Sequence, residues 1–214
     1  MKNIVIIILT SFLAASVTAQ DNVGEQKEAT EWSASLQLND AEKEAQVKTL
    51  IYNHLIAVKD WHNSHPASTV PAGINPLTGQ KLSELDRTII ADSAMPETVH
   101  QTLMGGLREE LDAAQIAFIL DKYTIGKVDF TMQGYKAIVP DLTAEEEKVI
   151  RTHLEEAREM AIDYKNMKQI SAIFEIYKTK SEQYLNANGR SWRQLYKDYV
   201  NKVRAEKVKK SNEK

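Results

Sequence analysis

Hydrophobic residues recur every three or four positions along most of this chain, which is the period of an α-helix that buries one face. The pattern is clearest after Asp40, the expected N-cap of a first helix. Its apolar face holds Val47, Leu50, Ile51, Leu55, Val58 and Trp61. His54 shares this face, where a histidine is more often a hydrogen-bonded core residue than a ligand.

The same period predicts further helices towards the C-terminus. Two of them begin with the spacing of a capping box, Asp112 with Gln115 and Thr143 with Glu146. The predicted segments are 83–94, 96–110 (with a break at Gly105-Gly106), 112–121, 143–164, 165–186 and a last helix from 191 onward. We therefore predict an all-α, single-domain bundle of about six to seven helices.

Residues 63–80 (NSHPASTVPAGINPLTGQ) interrupt the helical pattern. They contain three of the five prolines of the chain and two glycines, which predicts a long irregular loop. His62 and His65 flank its start, and their spacing could bring two imidazoles to one metal ion. No nearby acidic residue completes a ligand set, so no metal is predicted.

Residues 122–140 (KYTIGKVDFTMQGYKAIVP) interleave aromatic residues with glycine and threonine. We expect an aromatic-rich connection between helices, with a short extended piece at 127–130. The rings could stack on the C–H groups of a sugar, or they could seal the core beneath a loop. The residues alone favour the second interpretation.

The helix predicted within 139–163 (VPDLTAEEEKVIRTHLEEAREMAID) is densely acidic. Residues 145–147 fall in its first turn, where the helix dipole favours negative charge. Glu155, Glu159 and Asp163 follow one another at i, i+4 spacing opposite the apolar face, and like charges at this spacing cost stability. Such an arc is usually a solvated face, but the cost is an argument for a functional role of Glu159 or Asp163.

Composition narrows the function classes. The 214 residues carry a formal net charge of −3, which gives no general basic footprint for nucleic acid. The hydrophobic content of 43% is enough for a core, and the chain has no cysteine and hence no disulfide. We expect a flexible lead-in at 20–35, a helical domain at 36–205 and a basic, frayed tail at 206–214.

The N-terminal residues MKNIVIIILTSFLAASVTAQ have the organisation of a signal peptide, 1–19, with cleavage near Ala19. Lys2 provides the positive region, and the apolar run is too short to span a bilayer. We therefore predict a periplasmic or secreted protein with no membrane span.

Three stretches, KYTIGKVDFTMQGYKAIVPDLTAEEEKVI, LEEAREMAID and FEIYKTKSEQYLNANG, lie within residues 111–190. Together they resemble the family called domain of unknown function 3826, exported proteins mostly of Bacteroidetes that are provisionally described as sugar-binding. The resemblance implies an exported helical protein associated with polysaccharide use, in a family without established catalytic residues. The candidate ligand-binding residues that it carries over are Tyr123, Tyr135, Arg158, Glu159, Asp163, Tyr177 and Lys178.

The leading hypothesis is an exported, non-catalytic accessory protein of polysaccharide utilisation that binds an oligosaccharide or polysaccharide and needs no cofactor. The alternative is a periplasmic helical chaperone or scaffold, because LNDAEK, LDAAQ and LTAEEE repeat one helix-start pattern. A glycoside hydrolase or lyase is less favoured. It would need two carboxylates about 5–5.5 or 6.5–9.5 Å apart across a cleft, and one convex helix face provides no cleft.

Overall fold

Nine α-helices are present in the computed structural model, which describes residues 22–76 and 78–212. Helix makes up 77% and no strand occurs within these ranges, so the predicted all-α class is confirmed. The helices are α1 (Val23–Ala34), α2 (Ala41–Ser64), α3 (Glu84–Asp92), α4 (Glu97–Glu110), α5 (Ala113–Thr124), α6 (Lys127–Ile138), α7 (Ala144–Ala161), α8 (Met167–Ala187) and α9 (Trp192–Asn212). None of these nine is long and apolar enough to cross a membrane. The predicted signal peptide, 1–19, lies outside the described residues.

Capping chemistry sets where several helices begin. The side chain of Asp40 accepts hydrogen bonds from two backbone N–H groups at the start of α2, as predicted. The two predicted capping boxes are also present, at the starts of α5 and α7. Ser83 and Asp86 form a third box at the start of α3. These signals lie within four residues of sequence, which explains why the sequence shows them.

Helix α2 extends to Ser64, and the described remainder of the predicted loop, 65–76 and 78–80, is largely irregular. It contains one short 3-10 turn, Ala67–Thr69, and an isolated bridge between Ile74 and Lys81. Arg87 of α3 donates to the carbonyl oxygen of Val70 from Nε at 2.9 Å and from Nη2 at 2.6 Å. This pair of hydrogen bonds fastens the middle of the loop to the bundle.

The expected number of six to seven helices is too low because two segments outside the predicted helices are also helical. Residues 127–138 form α6, so the prediction of an extended piece at 127–130 is wrong. Ile125 and Gly126 both adopt positive φ, 53° and 62°, and turn the chain between α5 and α6. Val128, Met132 and Tyr135 then follow a helical period and are buried, which outweighs the low helix propensity of glycine and threonine.

The second additional helix is α1, within the segment 20–35 for which the sequence predicted a flexible lead-in. Ala29 and Ser33 have no exposed surface, because their small side chains let α1 pack closely against its neighbours. The Trp32 ring meets the edge of Tyr123 with centroids 4.7 Å apart. Residues 23–34 are therefore part of the packed domain.

Two further boundaries differ from expectation. Helix α4 passes through Gly105-Gly106 without a break, and Gly106 lies where α4 closely approaches α2. A Cβ built on Gly106 would lie 2.5 Å from Leu50 Cδ2, so a larger residue there would require the Leu50 side chain to move. At the C-terminus, α9 continues to Asn212, so residues 206–212 of the predicted frayed tail are helical.

Two groups of buried side chains form the interior of the described domain. One lies between α6, α7 and α8 and includes Leu154 and Phe174, and the other lies between α1, α2, α4 and α5 and includes Ile51 and Leu107. Ala161, the last residue of α7, belongs to the first group, whereas Ile162 belongs to the second. The connection from α7 to α8 therefore crosses between the two groups, and the candidate site lies at this crossing.

Candidate functional site

Asp163 lies beyond the end of α7 rather than on its exposed face. The helix ends at Ala161, two residues before Asp163, whereas the sequence predicts helix to 164. The Asp163 carboxylate lies between α2 and α4: Oδ1 is 3.0 Å from Nε2 of His54, and Oδ2 is 2.8 Å from Nδ1 of His100. Both oxygens therefore have an imidazole partner, and the last acid of the dense segment faces inward.

Glu159 completes what we call the Asp163 cluster, which comprises His54, His100, Glu159 and Asp163. Its Oε1 lies 3.6 Å from Nε2 of His100 and 3.5 Å from Nη2 of Arg108. His100 is thus flanked by two carboxylates, the half-buried Asp163 on Nδ1 and the more exposed Glu159 on Nε2. The two carboxylates therefore favour the protonated, positively charged form of His100.

The electrostatics of this cluster favour an ion pair. The hydrogen bond with Asp163 raises the pKa of His100 above 6.5, against the opposing effect of burial, and the charges of Asp163 and Glu159 add to it. Burial alone would raise the pKa of Asp163, but hydrogen bonds from His100 and His54 outweigh it and hold the pKa below 3.8. Asp163 is consequently ionised at neutral pH.

A second buried carboxylate, Asp92, is the last residue of α3 and only 4% exposed. Its Oδ2 lies 2.7 Å from Nδ1 of His62 and accepts a hydrogen bond from Nε2 of Gln169. Its Oδ1 is buried and has no hydrogen-bond partner among the described residues. We call Asp92, His62 and Gln169 the Asp92 cluster.

The two clusters have the same arrangement of side chains. In each, a carboxylate at or just beyond the C-terminal end of a helix meets a histidine of α2. A helix C-terminus carries partial negative charge, which disfavours a carboxylate there by about 0.3–1 kcal/mol. The imidazole and amide donors offset that cost, and they hold both carboxylates in place.

Both clusters open into one groove of about 670 Å³ between the α3–α4 turn, α4, α7 and α8. Burial raises the pKa of Tyr164 to about 12, and the negative charges of Asp163 and Asp92 add to this effect, so both carboxylates act on one phenol. The groove is lined by Asp92, Ser93, Met95, Pro96, Glu97, His100, Glu156, Glu159, Met160, Asp163, Tyr164 and Tyr177. Its size suits a small organic ligand.

Three of the seven residues predicted for a ligand site line this groove: Glu159, Asp163 and Tyr177. The Tyr177 hydroxyl lies 3.9 Å from Sδ of Met160, another lining residue. Glu155, the first acid of the i, i+4 series, is exposed and is not among the lining residues. Of the three acids in the i, i+4 series, Glu155 is therefore solvated, Glu159 lines the groove and Asp163 faces inward.

The candidate ligand-binding residues Tyr123 and Tyr135 are buried, whereas Phe130 of the same segment is 75% exposed. Tyr123 is 8% exposed and lies with its ring against Trp32 and His54, and Tyr135 is 2% exposed. The Tyr135 hydroxyl donates to the carbonyl oxygen of Lys178 at 3.1 Å. Both rings therefore pack mainly into the interior, as in the interpretation that the residues alone favour.

The other two predicted residues also have structural partners. Arg158 is 9% exposed and donates from Nη1 to Asp121 of α5 at 2.9 Å, which ties α7 to α5. The Nζ of Lys178 pairs with both carboxylate oxygens of Glu175 on the same helix, at 2.9 and 3.0 Å. Neither side chain lines the groove.

His62 and His65 do not converge on a shared point. His62 pairs with Asp92, whereas the His65 ring stacks on Trp61 with centroids 3.7 Å apart. Across residues 22–76 and 78–212, no group of three or more histidine, aspartate or glutamate side chains is placed to hold a metal ion.

Sequence reasoning did not identify His100, His62 or Asp92 as site residues. The two histidines of the Asp163 cluster, His100 and His54, lie 63 and 109 positions from Asp163, so no local spacing connects them to it. One signal was present, the position of His54 on the apolar face of α2, since a buried histidine requires a polar partner.

A search of curated proteins finds no match. A family model does match, over residues 23–205, and it covers α1 and most of α9 as well as the groove. By this match the chain belongs to the family of proteins of unknown function DUF3826.

Proposed function

We propose that this protein is an exported, non-catalytic accessory protein of polysaccharide utilisation that binds a carbohydrate in the groove between α4 and α7. The observation that carries the proposal is a pair of carboxylates, the buried Asp92 and the half-buried Asp163, which neighbouring side chains hold in fixed positions within one groove. Fixed carboxylate oxygens accept hydrogen bonds from sugar hydroxyls, and their rigidity lowers the entropic cost of binding.

The apolar part of the lining supports the same ligand class. Met160 is 45% exposed and offers apolar surface beside the carboxylates, and the largely buried rings of Tyr164 and Tyr177 complete the lining. A sugar ring has both kinds of surface, hydroxyl groups at its edge and C–H groups on its faces. The groove therefore matches a hydroxylated ring better than a wholly apolar ligand.

Calorimetric titration of the mature chain with a panel of plant and host oligosaccharides tests this proposal. We expect one group of sugars to bind and Glu159→Gln and Tyr177→Phe to weaken the binding at least about threefold, since each change removes a polar group from the groove. Lys178→Ala is the matched control, because Lys178 lies outside the groove and should leave the affinity unchanged. Absence of heat with every sugar would remove the support.

Export rests on the N-terminal sequence pattern and has its own test. We expect secreted or periplasmic material to begin at Gln20, after cleavage behind Ala19. Edman sequencing or intact-mass measurement checks this, and an intact Met1 in exported material would contradict it.

An acid–base activity on a glycan is the second candidate, and the Asp163–His100 pair favours it. Asp163 orients His100 through Nδ1, which leaves Nε2 on the side of Glu159 in the groove. This arrangement differs from the pair of carboxylates in a glycosidase, which face each other across the bound sugar. Here the imidazole of His100 lies between Glu159 and Asp163. Product analysis after long incubation with polysaccharide decides between binding and turnover.

A further inference from the structure

The groove is acidic. Its lining includes the five carboxylates of Asp92, Glu97, Glu156, Glu159 and Asp163, and His100 is the one basic side chain among the lining residues. Arg108 reaches only Glu159, at 3.5 Å, with a side chain that is 61% exposed. Three of these carboxylates also pair with basic side chains outside the lining: Asp163 with His54, Asp92 with His62 and Glu159 with Arg108. Glu97 and Glu156 have no salt bridge among the described residues, so the groove favours a cation over an anion.

Asp92 adds an observation that does not depend on the charge count. Its side chain is 3% exposed, and His62 and Gln169 both contact Oδ2. Oδ1 is buried without a hydrogen-bond partner among the described residues, although Asp92 lines the groove. A buried acceptor without a donor costs free energy, and the cost is greater for a charged group. Because Asp92 is one of the residues that line the groove, a ligand bound there is a candidate donor.

We propose that the ligand is an amino sugar with a free ammonium group and that this group donates to Oδ1 of Asp92. The proposal rests on the proposed carbohydrate-binding function and narrows its ligand class. An ammonium group suits the position because it has three donors and no acceptor, and its hydrogen bond to a carboxylate is charge-assisted. An N-acetylated sugar has an amide in place of the charge, and a uronic acid brings a negative charge.

Calorimetry with three oligosaccharides of equal length tests the proposal: a β-1,4-linked glucosamine tetramer, its N-acetylated counterpart and a galacturonic acid tetramer. At about pH 6, where the amines are protonated, we expect the glucosamine tetramer to bind at least about tenfold more tightly than the acetylated one. The galacturonic acid tetramer should not bind detectably. Spermidine, a cation without a sugar ring, should bind more weakly than the glucosamine tetramer.

The variant Asp92→Asn should reduce the preference for the free amine to within about twofold, because the charge on the acceptor is lost. Glu155→Gln is the matched control, since it removes one acidic charge from α7 outside the groove and should leave the preference intact. If Asp92→Asn fails to fold, as judged by circular dichroism, Glu97→Gln and Glu156→Gln replace it. Both are exposed lining residues, and each should reduce the preference in part.

The outcomes separate this proposal from the proposed function. Equal or tighter binding of the acetylated tetramer would overturn the amino-sugar proposal and leave carbohydrate binding intact. An unchanged preference for the amine in both Asp92→Asn and Glu97→Gln would likewise overturn the amino-sugar proposal and leave carbohydrate binding intact. Binding of spermidine but of none of the sugars would overturn both proposals, as would the absence of any binding.

Discussion

His100 lies between two carboxylates that differ in exposure. The side chain of Asp163 is 22% exposed and that of Glu159 is 43% exposed. Since the pKa of His100 is raised above 6.5, the stabilisation from its charged form is fully present below pH 6.5 and is lost as the pH rises through the raised value. The pKa of Asp163 is lowered, so its contribution is present above pH 3.8 and is lost as the pH falls through the lowered value.

A titration of the imidazole resonances by NMR should therefore give His100 a midpoint above 6.5. Asp163→Asn should lower that midpoint more than Glu159→Gln does, because the hydrogen bond with Asp163 contributes most to the raised pKa. His153, which contacts Ser181 rather than a carboxylate, provides a reference resonance. A midpoint at or below 6.5 in the unaltered protein would contradict the ion pair.

Adjacent glycines in one helix can have opposite effects, and α4 supplies such a pair at the scale of a secondary-structure element. A Cβ on Gly105 would meet no atom within 4 Å, whereas a Cβ on Gly106 would lie 2.5 and 2.7 Å from the two Cδ atoms of Leu50. Gly105→Ala should raise the free energy of unfolding by about 0.5–1 kcal/mol, because alanine favours the helix.

Gly106→Ala should be less stable than Gly105→Ala by about 1–3 kcal/mol, because Leu50 must move out of the α2–α4 contact. Urea unfolding measures both variants. Adding Leu50→Ala should bring the effects of the two glycine substitutions closer together, as a double-mutant cycle would detect. Equal stabilities of the two single variants would show that close helix approach does not constrain Gly106.

Arg190 joins two connections of the bundle, the one before α7 and the one after α8. Its Nε and Nη2 donate to the two carboxylate oxygens of Glu146 at 2.6 and 2.8 Å, and Nη1 donates to Asp141 at 3.0 Å. The hydrogen bonds with Arg190, which outweigh the effect of burial, lower the pKa of Glu146 from 4.5 to about 2. The stabilisation is therefore present above pH 4.5 and is lost as the pH falls towards about 2.

Arg190→Lys should cost about 2 kcal/mol at neutral pH, because a lysine cannot reproduce the paired hydrogen bonds of the guanidinium. The difference between variant and unaltered protein should shrink as the pH falls from 4.5 towards 2, since protonation of Glu146 removes the same interaction. Denaturant unfolding at several pH values measures this, with Arg193→Lys, an exposed arginine of α9, as the control. A difference that is independent of pH would rule out the Glu146 pair as its source.

At the scale of the whole molecule, the sequence predicts local features well and long-range features poorly. The N-caps at Asp40 and Thr143 were predictable because each cap and its partners lie within three residues. Helix α6 was missed because glycine and threonine have low helix propensity, and only burial of Tyr135 and its neighbours outweighs that preference.

The candidate site was predictable only in part for the same reason. Glu159 and Asp163 stood out through repeated like charge, which is a local signal. Asp92 did not stand out, because what distinguishes it is a pairing with His62 and Gln169, 30 and 77 positions away. The residues of 122–140 alone favoured rings that seal the core, but the contact between Tyr123 and Trp32 could not be foreseen, since the segment that holds Trp32 was expected to be a flexible lead-in.

Ligand binding at the crossing between the two buried groups should stabilise the molecule as a whole. A ligand that binds only the folded state adds about 2.7 kcal/mol at a concentration of 100 times Kd. For a domain of this size that should raise Tm by roughly 5–10 °C. Differential scanning fluorimetry with the glucosamine tetramer measures the shift, which should increase with the logarithm of ligand concentration.

Asp92→Asn should reduce the shift in Tm, and Lys178→Ala should retain it, because Asp92 lines the groove and Lys178 does not. Arg190→Lys supplies a second control. It lowers Tm through a contact outside the groove lining, so its shift upon adding ligand should match that of the unaltered protein. A ligand-induced shift that survives in Asp92→Asn but disappears in Arg190→Lys would place the binding surface near Glu146 instead of in the groove.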